Sequence, residues 1–505
     1  MKRLFTIGGS LILMTIITAA IPAADMTAAI TKNQLRQNIE KILSRDDVAS
    51  ATVGVCILAG DTGDILYEKN GEVPLKPASC NKLQVTAAAL HFLGPDYTYK
   101  TSLQITGKIR NKTLVGDVIV SGSGDPSISG RFGKDKSDNT AIFRDWAKAL
   151  KRMGIEKIEG NIVGDDDYFG DDTFGQGWSP NSRGSWFSAE VSALSFNDNC
   201  VDVVWSGNGA VGKTAPYKLN PPTSYVKITN EVRIGKKGTD KTSSFHRKDK
   251  SNEIVARGMI PKGGTMSDSA AVYNPTHYFV SVLKETLEKE RIPVMGKAID
   301  LDDEPVLKKA LQEDPPTTTV ATYESPRLIV LLDTVNTNSQ NLFAELILKT
   351  IGKKIKGEGT FLASSEAVME FLRKEKLWDN GSLIIDGSGL SHLNRASAHQ
   401  LACVLRYMSR QPWWKDVLGT MPRGQMKGYL KKCFGESAES REIGKRIYGK
   451  TGNISGVIGL SGVVYNENNR EIFYSVLINN YRGSTQRGRE IGDAIAFEAA
   501  RSRLP

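Results

Sequence analysis

Histidine and cysteine are scarce, five of each in 505 residues. The histidines (His91, His246, His277, His392, His399) form no H-E-x-x-H, and the cysteines (Cys56, Cys80, Cys200, Cys403, Cys433) form no C-x-x-C. No Cys/His spacing suggests a zinc site, which sets the metalloprotease and zinc-ribbon classes aside. There is no G-x-S-x-G elbow either, so nothing points to an α/β-hydrolase. Long hydrophobic runs are absent beyond Ile21, so the body of the chain has no candidate membrane span. Strong charge bias is absent too. Lys and Arg exceed Asp and Glu by only 10, which suits contact with anionic envelope polymers or membrane surfaces and does not argue for nucleic acid. With 40% hydrophobic and 24% charged residues the chain is ordinary globular protein, and its length suggests about three domains.

Residues 1–24 read as a secretory signal. Lys2 and Arg3 form the positive start, Leu4 to Ile21 is apolar or small, and Ala19, Ala20, Ala23 and Ala24 form a cleavage zone without a clean A-x-A. The alternative is an uncleaved anchor helix. Either places the folded part outside the cytoplasm, in the periplasm or beyond. The odd cysteine count requires a free thiol or an intermolecular bond, and pairing is not legible.

Periodicity divides the rest. A helix is expected over 30–45, a hairpin over 51–67 and an apolar helix over 79–93. From about 95 to 319 short β-like runs alternate with turn residues. Within it, Arg233 to Lys250 reads as a solvated basic loop, and 314–319 as a linker. After 320 helices return, and strands near 446–478 precede a last helix. The expectation is one α/β domain, 25–94 plus 320–505, whose sheet is built from both ends of the chain, with 95–319 as a mostly β insertion of two nested subdomains.

Four short motifs need weighing. Gly207 to Thr214 fits a phosphate-loop pattern, but Pro216 and Pro221-Pro222 forbid the helix such a loop requires, so it reads as a turn between strands. Ser79-Cys80-Asn81-Lys82 is S-x-x-K at a helix start, where the Lys82 amine can reach the Ser79 hydroxyl. Ser339-Gln340-Asn341 opens a later helix. A literal S-D-N at Ser137-Asp138-Asn139 sits in a polar stretch and reads as a turn. Lys450-Thr451-Gly452 follows a strand, offering a cation and a hydroxyl for a carboxylate and a glycine for close backbone approach. Each alone is a common accident. S-x-x-K, S-x-N and K-T-G in that order form the signature of serine penicillin-recognising enzymes.

The 257-position gap from Lys82 to Ser339 narrows this further. So do Gly124-Asp125-Pro126-Ser127, Val163-Gly164-Asp165-Asp166, Val191 to Asn199 and Asp386-Gly387-Ser388-Gly389-Leu390-Ser391. The chain resembles the DacB-like, class C low-molecular-mass penicillin-binding proteins of the S13 family, D-Ala-D-Ala carboxypeptidases and endopeptidases.

That resemblance implies a transpeptidase-like domain: an antiparallel sheet flanked by helices, plus a helical lobe. It implies that Ser79 attacks the bond between two D-alanines of peptidoglycan stem peptides, with Lys82 as base and β-lactams as acylating inhibitors. Ser339 would protonate the leaving amine, Asn341 would hold Lys82 and the substrate amide, and Lys450 and Thr451 would bind the terminal carboxylate. The Ser79 and Asn453 backbone amides would form the oxyanion hole, and no metal or cofactor is implied. Two positions depart from the pattern: Asn453 stands where Thr is usual, and His392 where Arg is usual. His392 and Asp165 are the expected contacts to the free end of the stem-peptide side chain. A serine β-lactamase and a non-catalytic envelope scaffold are the alternatives. The long insertion argues against the first and the complete motif set against the second. Oligomeric state is not legible.

Overall fold

The computed structural model describes residues 29–316 and 318–504. The leader read at 1–24 lies outside the described residues. Among these, no helix is long and apolar enough to cross a membrane.

The two ends of the chain meet in one antiparallel sheet, ordered Ile447–Ile454, Val457–Tyr465, Glu471–Asn479, Thr52–Ala59, Ile65–Lys69. The interior strand Thr52–Ala59, TVGVCILA, is buried along nearly its whole length. Such a strand is apolar without alternation because helices cover both faces. On one face lie the helices Lys32–Leu43 and Thr485–Arg501. The first is set by a Thr31–Gln34 capping box and buries Leu35, Ile39 and Leu43 at four-residue spacing. The other face carries the helix Ala398–Ser409 and then a helical lobe.

Two helices at the heart of that lobe are buried all round, so their sequences show no polar stripe. Lys82–Phe92 buries every residue from Lys82 to Leu90, and Asn341–Lys356 every residue from Asn341 to Gly352. They carry two of the catalytic candidates, Lys82 and Asn341, at their first positions.

Residues 100–324 form four further sheets. One has five strands in the order Ala298–Asp300, Ile162–Asp165, Val118–Ser121, Lys100–Ile105, Thr318–Glu324. The stretch read as a linker therefore runs into an edge strand, and the expected boundary at 319/320 falls inside it. Three smaller three-stranded sheets accompany it, with the helices Ala141–Arg152 and Pro275–Lys289 packed in the same core. The Gly207–Thr214 stretch is a turn between the strands Cys200–Ser206 and Tyr217–Asn220, as expected.

One expectation is corrected. Arg233–Lys250 is no loop: Lys227–Gly235 and Thr242–Arg247 are strands flanking Glu253–Pro261. In T-S-S-F-H-R the inward positions are Phe245 and Arg247, both buried. Arg247 is tolerated there because it pairs with the buried Glu190. A buried arginine reads as solvent-facing in sequence, which hid the alternation.

Candidate active site

Ser79 does not sit inside a regular helix. It lies in a 3-10 turn, Ala78–Asn81, that leads into the helix beginning at Lys82. Ala78 has φ +45°, a left-handed conformation costly for a residue with a Cβ. Ser339 is also left-handed, at φ +59°, and precedes its helix by two residues. Strain of this kind persists where packing over-determines it, commonly at functional sites.

The Lys82 Nζ is the centre of the group. It lies 3.0 Å from Ser79 Oγ, 2.7 Å from Asn341 Oδ1 and 2.7 Å from the Ser388 carbonyl. Two of these partners only accept. A neutral amine has two N–H bonds and one lone pair. The N–H bonds go to Asn341 and Ser388, which leaves the lone pair for the Ser79 hydroxyl proton. Burial, and then the Lys450 cation, hold the Lys82 pKa well below its usual value. Geometry and electrostatics thus favour the same protonation state, that of a general base.

Lys450 is also fully buried, and burial lowers it to about 8. Its Nζ donates to Ser339 Oγ at 2.8 Å and to the Thr451 carbonyl at 2.8 Å. The strand Ile447–Ile454 that carries it presses on the nucleophile turn. A Cβ on Gly452 would stand 2.8 Å from the Pro77 carbonyl and 3.0 Å from the Ser79 nitrogen. Glycine is needed here for the protein's own backbone contact. Asn453 follows it, exposed, opposite Ile458 on the neighbouring strand.

Ser79, Lys82 and Asn341 thus form one hydrogen-bonded group and Ser339 and Lys450 another, with the Lys450 charge felt at Lys82. Asp165 and His392 make no hydrogen bond or ion pair with any of them. Asp165 accepts from Ser121 Oγ at 2.9 Å, and burial raises its pKa. His392 is exposed, yet partial burial, then Lys76 and Arg395, lower its pKa, which favours the neutral ring at pH 7. Asn341 departs from expectation in one respect: its Nδ2 donates to the Phe187 carbonyl at 2.7 Å, which leaves one amide N–H for a substrate.

Sequence reasoning missed the supports of this group. Glu345 accepts from the Gly387 and Ser388 amides at 2.6 and 2.8 Å, fixing the turn whose carbonyl holds Lys82. Asp386 accepts from the amides of Gly389 and Ser391, from Asn394 and from the Trp178 indole. Asn81 donates to the Asp386 carbonyl at 2.7 Å. The D-G-S-G-L-S segment was a visible signal, but Glu345 lies in an apolar helix with none.

The sequence profile of the D-Ala-D-Ala carboxypeptidase 3 (S13) family matches residues 35–502. The chain belongs to this family. Its membership makes it a serine-type hydrolase, a D-Ala-D-Ala carboxypeptidase. It is 27% identical over 503 residues to the D-alanyl-D-alanine carboxypeptidase of Actinomadura sp. (strain R39), covering 96% of this chain and 88% of that one. It is 25% identical over 425 residues to D-alanyl-D-alanine carboxypeptidase DacB of Haemophilus influenzae, covering 83% of each. The crystal structure of penicillin binding protein 4 (dacB) from H. influenzae matches with a TM-score of 0.74 at 23% identity, over 93% of this chain and 98% of that one. The S13 fold is therefore shared across nearly the whole length. This includes 100–324, which lies between the S-x-x-K and S-x-N motifs.

Proposed function

We propose that this S13 carboxypeptidase works through a Ser79 acyl-enzyme. Lys82 takes the hydroxyl proton as Ser79 Oγ attacks the carbonyl between two D-alanines of a stem peptide. The observation that carries this reading is the Lys82 Nζ, with its lone pair free for Ser79 and its two N–H bonds committed elsewhere. Ser339 passes its hydroxyl proton to the leaving D-alanine amine and takes one in its place from Lys450, whose Nζ donates to it. Lys450 and Thr451 take the terminal carboxylate. The Ser79 and Asn453 amides stabilise the oxyanion, and Asn341 offers its remaining N–H to the substrate amide. Water then deacylates Ser79.

The same chemistry acts on cross-linked stem peptides, giving DD-endopeptidase activity, and on β-lactams, whose strained amide stands in for the D-Ala-D-Ala bond. A homologous H. influenzae protein, at 21% identity and TM-score 0.69, has been crystallised in complex with a β-lactam. Residues 100–324 act as an insertion in the peptidase domain, and Asp165 within it, with His392, meets the free end of the stem-peptide side chain. Because the neutral ring of His392 is favoured at pH 7, it binds that end without the fixed cation an arginine would supply. The protein is exported by its N-terminal leader and works in the cell envelope.

Intact-mass spectrometry after benzylpenicillin tests the mechanism, run beside Ser79→Ala and a D-alanine release assay on a stem pentapeptide. A single adduct and D-alanine release on the wild type only are expected. An adduct on Ser79→Ala, or full release by it, refutes Ser79 as the nucleophile. Consumed drug with no adduct points to a β-lactamase.

A further inference from the structure

Outside the peptidase site, the helix Ala398–Ser409 carries a second cluster of nucleophile, base and carboxylate. Cys403 and His399 are one helical turn apart, and Cys403 Sγ lies 3.4 Å from His399 Nε2. The other ring nitrogen, Nδ1, lies 3.1 and 3.3 Å from the two oxygens of Asp379. Asp379 is itself fixed by the Ser397 hydroxyl and does not depend on solvent for its position. Base and thiol within hydrogen-bond reach, with the base oriented by a third group, is the arrangement that activates a nucleophile. Three residues further on, Arg406 adds a second cation in electrostatic range of Cys403.

We propose that Cys403 is a modification site, a nucleophile set against the His399 ring that exchanges with low-molecular-mass disulfides. The Sγ attacks one sulfur of the disulfide, and an Sγ–S bond forms as the S–S bond breaks. The departing thiolate takes its electron pair with it and receives the proton that Cys403 gives up. The products are a mixed disulfide on Cys403 and one free thiol. The cluster is open enough for this, since Cys403 is partly exposed and the His399 side chain retains 27% of its accessible surface. His399 is raised to about 10, first by its hydrogen bond to Asp379 and then by that to Cys403, so it is a cation at neutral pH.

The chain supplies its own control. Cys433 is the only other partly exposed thiol, since Cys56, Cys80 and Cys200 are buried. Its surroundings are the reverse: burial, and then the Asp493 carboxylate, push the Cys433 thiol up to about 12. Two thiols of comparable access thus face opposite charge.

The test treats the full-length protein with oxidised glutathione at pH 7 and maps the adducts by peptide mass spectrometry over time. Cys403 is expected to be modified at least about tenfold faster than Cys433, because its Sγ faces His399 and Arg406 where Cys433 faces Asp493. His399→Asn and Asp379→Asn are expected to slow Cys403 to near the Cys433 rate and leave Cys433 unchanged. A variant that unfolds would speed both thiols together, and the wild-type ratio then decides. Equal rates in the wild type, unchanged Cys403 rates in both folded variants, or an internal Cys56–Cys403 bond in place of the mixed disulfide would each overturn the proposal.

Discussion

Asn341→Asp puts a carboxylate oxygen where the Asn341 amide oxygen now stands, 2.7 Å from Lys82 Nζ in a fully buried site. At an effective dielectric of about 20 that contact favours a protonated Lys82 by about 6 kcal/mol. The new carboxylate resists burial itself. Keeping half the Coulomb gain leaves about 3 kcal/mol, roughly 100-fold less neutral amine at a given pH. The sign is fixed: an opposite charge stabilises the ammonium, so the rising limb of acylation moves to higher pH. Asn341→Ala is the control, because it removes the same contacts to Lys82 and to the Phe187 carbonyl without adding charge. The assay is stopped-flow acylation by a chromogenic β-lactam from pH 6 to 10. The aspartate variant should lie far below the alanine variant at pH 7 and close the gap as pH rises. Equal rates and parallel pH profiles for the two would refute the neutral-lysine mechanism.

Two further substitutions probe the frame around the site. Gly452→Ala drives a methyl against the Pro77 carbonyl and the Ser79 nitrogen, both backbone atoms that cannot swing aside. Destabilisation of about 1–3 kcal/mol and a tenfold or greater loss of acylation are expected, and wild-type acylation would show that the strand is free to retreat. Arg247→Met strands the Glu190 carboxylate in the core, where side-chain exposures are 0% and 4% for the pair. Urea unfolding at pH 7 should show a loss of about 3–5 kcal/mol, partly restored by adding Glu190→Gln; a loss under 1 kcal/mol would mean that the ion pair is not sealed from water.

The clustering of the candidate site residues was legible because each motif is short, contiguous and bound to a local turn. Ser79 and Lys82 need only three-residue spacing to meet, and Lys450-Thr451-Gly452 only a strand edge. Burial of charge was not legible. Lys82, Lys349, Lys450, Glu345 and Arg247 are all buried, and any periodicity argument assigns such residues to solvent. That assumption turned the strand Thr242–Arg247 into a loop and left Glu345 unnoticed. The sheet built from both ends of the chain was legible for the opposite reason: its central strands are apolar throughout and tolerate no other placement.

The buried charges also explain how residues distant in sequence hold a site for which no single segment is sufficient. The stretch 170–198 threads along the helical lobe and hands it a series of polar partners. The Gly170 and Asp172 carbonyls accept from Lys349, at 3.0 and 2.8 Å. The Gln176 carbonyl accepts from Ser391, and the Phe187 carbonyl from Asn341. Trp178 donates to Asp386, and Asp198 accepts from Gln340, the middle residue of S-x-N. All but the Lys349 contacts lie on, or beside, a group that positions Lys82 or Ser339. A neutral buried lysine works as a base only while its acceptors stay fixed, because a displaced Asn341 or Ser388 carbonyl would free an N–H to compete for the Ser79 oxygen. Residues 170–198 therefore brace Lys82 from outside its own helix, and under the proposed mechanism changes far from Ser79 along that stretch act on acylation through the orientation of Lys82.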